Sequence, residues 1–127
     1  MSAPGEVPPI RVPGFAAEVR FAAEVELTLR GSADTDTAEP LATLVHQLHA
    51  EAVAGRVRLV LIEISQLDFM SAASFNVLVS WVGLIQDLEP TQRYQLRFRS
   101  SNKILWQRRS LKTLACFATN LIEIEVA

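Results

Sequence analysis

The chain has 127 residues, half of them hydrophobic and 20% charged, which fits one globular domain with one core and excludes a disordered chain. The net charge of −2 sets no partner class, but it is unevenly spread: residues 1–63 carry nine acids and five bases, whereas residues 93–112 carry seven bases and no acid. Cys116 is the single cysteine, which excludes an internal disulfide and a cysteine metal cluster, and no apolar run reaches the roughly 18 residues of a spanning helix.

Residues 1–14 hold four of the six prolines and two of the five glycines and have no basic-then-apolar signal pattern. They are expected to form a flexible or extended leader, with residues 15–127 as a single domain. From Phe15 to Arg30 apolar and charged residues alternate, as in Val25-Glu26-Leu27-Thr28-Leu29-Arg30, which predicts a strand pair or one bent strand ending at Gly31. In the polar connector 32–39, Asp36 or Thr37 can cap a following helix, and Pro40 is tolerated in its first turn. Leu41, Leu44, Val45, Leu48, Ala52 and Val53 recur at helical spacing, and Gly55 is expected to supply a left-handed stop. His46 and His49 lie on this helix three residues apart; with no third ligand nearby they read as surface histidines.

Residues 57–64 are apolar at nearly every position, which predicts a central strand covered on both faces. The segment Leu67-Asp68-Phe69-Met70 leads into a turn of small residues, Ser71-Ala72-Ala73-Ser74, and then into a helix that is apolar almost all round. That helix gives Trp81 a claim to an exposed apolar patch, and Pro90 ends it. Tyr94, Leu96 and Phe98 alternate with Gln95, Arg97 and Arg99 in a half-exposed strand. Ser101 or Asn102 can cap a further helix through Phe117, and Leu121 to Val126 alternates again with Glu123 and Glu125 outward. Strands separated by helices of this length predict an α/β fold: a mixed sheet of four to five strands packed with about three helices.

The lead-in, the small-residue turn and the apolar helix resemble those of STAS domains, the sulfate-transporter and anti-sigma-factor-antagonist fold, over about residues 20–126. The family joins this strand and helix by an Asp-Ser-Ser/Thr-Gly turn. Here Ser71 stands at the Asp, Ala72 at the phosphorylated Ser, Ala73 next, and Ser74 at the Gly. The resemblance implies a protein of bacterial signal transduction whose turn docks a kinase or anti-sigma-like regulator and whose phosphorylation breaks the complex; the lone cysteine and the missing signal pattern fit a cytoplasmic location. Ala72 has no hydroxyl, so the usual acceptor is missing. Ser71 and Ser74 remain as alternative acceptors, although serine is also a favoured residue where a helix starts.

The expected partner-binding residues are therefore Met70, Ser71, Ala72, Ala73, Ser74 and Asn76, in a non-enzymatic interaction module. An accessory subunit bound to a membrane-transporter ATPase is the alternative, and a homodimer through the apolar helix is another. Arg97, Arg99, Arg108 and Lys112 form a candidate basic docking surface for an acidic protein; a nucleic-acid binder would be basic overall, and this chain is not. No nucleophile elbow, phosphate-binding glycine loop or metal motif is present, and Asp68, the one acid beside the turn, has no His or Cys partner nearby. Neither catalysis, nor a cofactor, nor membrane insertion is expected.

Overall fold

The computed structural model describes residues 7–22 and 24–126. Six strands form one sheet in the order β1 (Ile10–Val12), β2 (Phe15–Phe21), β3 (Val25–Ala33), β4 (Leu59–Met70), β5 (Gln95–Ser100) and β6 (Ile122–Val126). The first three pair antiparallel as a meander, and β3 to β6 pair parallel. Each parallel step is made by one helix: α1 (Ala38–Ala54), α2 (Ala72–Gln86) and α3 (Leu105–Phe117).

Because each strand joins beside its predecessor and crossovers are right-handed, a sheet that always grows in one direction receives all its helices on one face. The burial pattern agrees. Val60, Ile62 and Ile64 on β4 and Leu96 and Phe98 on β5 are fully or almost fully buried, and they join Leu48, Leu78, Trp81 and Leu114 of the helices in a single core.

The opposite face is open and charged. It carries the ion pairs Arg11–Glu18, Arg30–Glu18, Arg97–Glu123, Arg99–Glu63 and Arg99–Glu125, at 2.8 to 3.8 Å. The Arg11 guanidinium, by hydrogen bond and by charge, holds the Glu18 carboxyl below its ordinary range. The expectation that the central strand is covered on both sides is therefore corrected. Leu61 on the open face reaches low exposure because Glu26 and Arg97 stand opposite it on the neighbouring strands, where long charged side chains lay apolar stems over the sheet.

Six strands replace the expected four to five, and the addition comes from the segment assigned to a leader. Ile10-Arg11-Val12 pairs with β2 through the two-residue connection Pro13-Gly14, where Gly14 has φ +81° as in the second central position of a type II turn. Val7 is also buried, so the leader expectation fails from Val7 to Gly14; residues 1–6 lie outside the described residues. Nor does β3 end at Gly31. That residue has φ +92° and sits against the Gly14 backbone, and the Ser32 N–H donates to the Gly14 carbonyl at 2.8 Å before the strand continues to Ala33.

Helix ends also differ from the sequence reading. Asp34, not Asp36 or Thr37, is the capping side chain: it accepts from the Asp36 N–H at the start of a 3-10 turn (Thr35–Thr37) that leads into α1. At the C-terminus of α1 the left-handed residue is Arg56 (φ 53°), whereas Gly55 has φ −87°. The Val57 N–H bonds to Ala52 O and the Arg56 N–H to Val53 O, a Schellman arrangement with arginine where glycine is favoured. No side chain caps α3; Ser101 instead turns its hydroxyl to the Lys103 N–H.

Candidate functional site

The carboxyl end of β4 is shaped by two irregularities. Thr28 and Arg30 pair with Glu63 and Gln66, and Gly31 and Ser32 pair with Leu67 and Phe69, so β4 holds one extra residue at each place. Each extra residue inverts the alternation. The first carries burial from Ile64 to Leu67; the second turns Phe69 to the open face, where it is 50% exposed. Beyond the last residue paired with β5, the carbonyls of Ile64 and Leu67 have no strand to meet. The Gln107 amide, fully buried at the start of α3, donates to both, at 2.6 and 2.9 Å, and its oxygen accepts from the Ser101 N–H. Trp106 adds a bond from Nε1 to Asp68 O at 2.8 Å.

The turn itself is welded to the connection between β3 and α1. The Ser71 N–H donates to Ala33 O at 2.7 Å, and the Ser71 hydroxyl oxygen accepts from the Ser74 N–H at 3.1 Å, the bond of an N-cap. Ser74 is fully buried; its hydroxyl donates to Asp34 O at 2.8 Å and lies 3.0 Å from the Thr37 hydroxyl, which also bonds Asp34 O. Ser74 occupies the third helical position of α2, and its φ is not positive, as a serine there requires.

The residues expected to dock a partner thus separate into two groups. Ala72 and Asn76 are exposed and Met70 and Ala73 half-buried, whereas Ser71 and Ser74 turn inward and serve the fold. Ala72, at the position where the resemblance puts the acceptor, presents only a methyl group. Ala73 and Asn76 also line a shallow groove of about 190 Å³ between α1 and α2, with His46, Val77 and Ser80. Phe69, which was not among the expected docking residues, adds a large exposed apolar side chain at this end.

The four cations of the expected basic surface fall on two surfaces. Arg97 and Arg99 lie on the open sheet face in ion pairs with acids, whereas Arg108 and Lys112, one turn apart on α3, flank a hollow of about 190 Å³ floored by Leu111, Ile124 and Val126. Trp81 is buried, not exposed: its Nε1 donates to the Tyr94 hydroxyl at 2.7 Å, and that hydroxyl is 2.6 Å from His49 Nδ1. His49 is therefore no plain surface histidine. Burial, and secondarily the charge of His46, lowers its pKa, while burial pushes the Tyr94 hydroxyl upward. A neutral His49 accepts at Nδ1, so the protons run from the indole to the phenol and from the phenol to the imidazole.

Among the described residues no group of three or more His, Cys, Asp or Glu is placed to hold a metal, and no helix is long and apolar enough to cross a membrane. No protein-family model matches the sequence, and no curated protein matches it. Among solved structures the chain matches the crystal structure of an anti-sigma factor antagonist from Mycobacterium paratuberculosis, with a TM-score of 0.58 over 90% of each chain at 16% identity. The chain has a STAS-like fold. At that identity the likeness establishes the architecture, an α/β mixed sheet with three helices.

Proposed function

We propose that this protein is a non-enzymatic regulatory module that docks a protein partner of the anti-sigma or regulatory-kinase kind. The contact surface is the exposed part of the turn, Met70, Ala72, Ala73 and Asn76, extended by Phe69. The observation that carries this reading is the division of labour in the turn. The two serines that offer hydroxyls are buried in structural hydrogen bonds, while the residues turned to solvent are apolar or neutral. The uncharged side chains of the turn are suited to burial against a partner, and the missing hydroxyl at Ala72 removes the modification that would dissociate it.

The test is capture of regulatory kinases or anti-sigma-like proteins by the full chain, compared with Ala73→Asp and Phe69→Asp. Either substitution buries an unpaired carboxylate in the contact and should weaken capture at least tenfold, whereas Arg108→Gln should leave it unchanged. Capture that survives both aspartates places the contact elsewhere.

A further inference from the structure

At the opposite pole, where β4 begins, a cavity of about 390 Å³ is lined by Arg56, Arg58, Arg93, Thr91 and Gln92 over the half-buried side chains of Val53 and Val57. Among the described residues no carboxylate lines it, and none of the three arginines takes part in an ion pair. A second hollow beside it shares Arg58 and Arg93. Three guanidinium groups around one concavity, in a chain of net charge −2, are a local concentration of positive charge.

Two details point to binding rather than to a solvated surface. Arg93 is held in place from behind: its Nε donates to Leu88 O at 3.2 Å and its Nη2 to Gln86 O at 2.8 Å, which satisfies carbonyls at the end of α2 and leaves the rest of the guanidinium free. Arg56 keeps a long cationic side chain in a left-handed conformation where glycine would be unstrained. We propose that this cavity binds a small phosphate ester, with the phosphate on the planar donors of Arg56, Arg58 and Arg93 and its organic part over Val53 and Val57. Guanidinium forks match phosphate oxygens in pairs, and Thr91 and Gln92 add neutral donors at the rim.

Titration calorimetry of the full chain at low salt with phenyl phosphate and, separately, inorganic phosphate tests this. Expected is saturable one-site binding of phenyl phosphate, tighter than that of inorganic phosphate. Arg58→Gln, which removes no internal bond, should weaken it about tenfold or more, and Arg56→Gly combined with Arg58→Gln should abolish it. Arg108→Gln, in the other basic cluster, should change nothing. Non-saturable heats, or binding that survives the double variant, overturn the site. Inorganic phosphate binding as tightly as the ester overturns the assignment of an organic ligand. None of these outcomes depends on the docking role of the opposite pole.

Discussion

The Ser74 hydroxyl donates to the carbonyl oxygen of Asp34 at 2.8 Å, joining the first turn of α2 to a residue forty positions earlier in the chain. Replacing it tests the structural reading of that serine. Ser74→Ala should cost about 1 kcal/mol in urea denaturation, because Thr37 still satisfies the Asp34 carbonyl. Ser74→Asp should cost several times more, about 3 kcal/mol or above, by burying an unpaired carboxylate. If Ser74→Asp is as stable as Ser74→Ala, the site is more open than its burial indicates.

The chain from Trp81 to Tyr94 to His49 links stability to pH. The folded pKa of His49 is lowered, so below its unfolded value of about 6.5 the unfolded state binds more protons and the fold loses stability as pH falls. Above that value the contribution is complete. Denaturation midpoints measured from pH 8 to pH 5 should fall in the acid range, and His49→Gln should flatten that part of the curve. Tyr94→Phe should cost about 1–3 kcal/mol at neutral pH, since it leaves the buried Trp81 N–H without an acceptor.

Gly14 and Gly31 both have positive φ but differ in surroundings, which separates conformational from steric cost. A Cβ on Gly14 meets nothing within 4 Å, so Gly14→Ala should cost about 1–2 kcal/mol. A Cβ on Gly31 would lie 2.1 Å from Gly14 O, which is backbone and cannot swing aside. Gly31→Ala should therefore cost more than about 4 kcal/mol or prevent folding, measured by thermal melting of the purified chain.

Gln107→Leu keeps the side-chain volume approximately but strands the Ile64 and Leu67 carbonyls and the Ser101 N–H. It should destabilise the protein by about 3 kcal/mol or more, and Gln107→Glu at neutral pH by at least as much, because a buried carboxylate would face the two carbonyl oxygens with no proton to donate. Hydrogen exchange should then rise at Ser101, whose N–H bonds to Gln107.

The alternation of Val25 to Arg30, the helical spacing of Leu41 to Ala52 and the run before Ile64 were enough to read the parallel core and its helices from composition and period alone. Three features were not legible in this way. β1 is short and flanked by prolines, so only its pairing with β2 distinguishes it from a leader. The inward turn of Leu67, against the alternation of Ile62 and Ile64, depends on an extra residue in β4, and an inserted residue has no periodic signal of its own. The cavity of Arg56, Arg58 and Arg93 joins residues more than thirty positions apart, and a window along the chain that sees the basic stretch from Arg93 to Lys112 does not see that Arg93 faces the other way. Ser71 was legible, because a serine immediately before an apolar helix has a local job that needs no tertiary information.

The twelve residues of β4 place roughly 40 Å of extended chain between the arginine pole, where the strand begins, and the turn where it ends. Two ligands bound at these poles would not touch, so neither excludes the other by bulk. β4 is hydrogen-bonded to strands on both sides over its first half and gripped by one glutamine near its far end, and α1 and α2 run beside it from the turn to Arg56 and to the carbonyls that hold Arg93. A single strand can carry two separate addresses, one at each end.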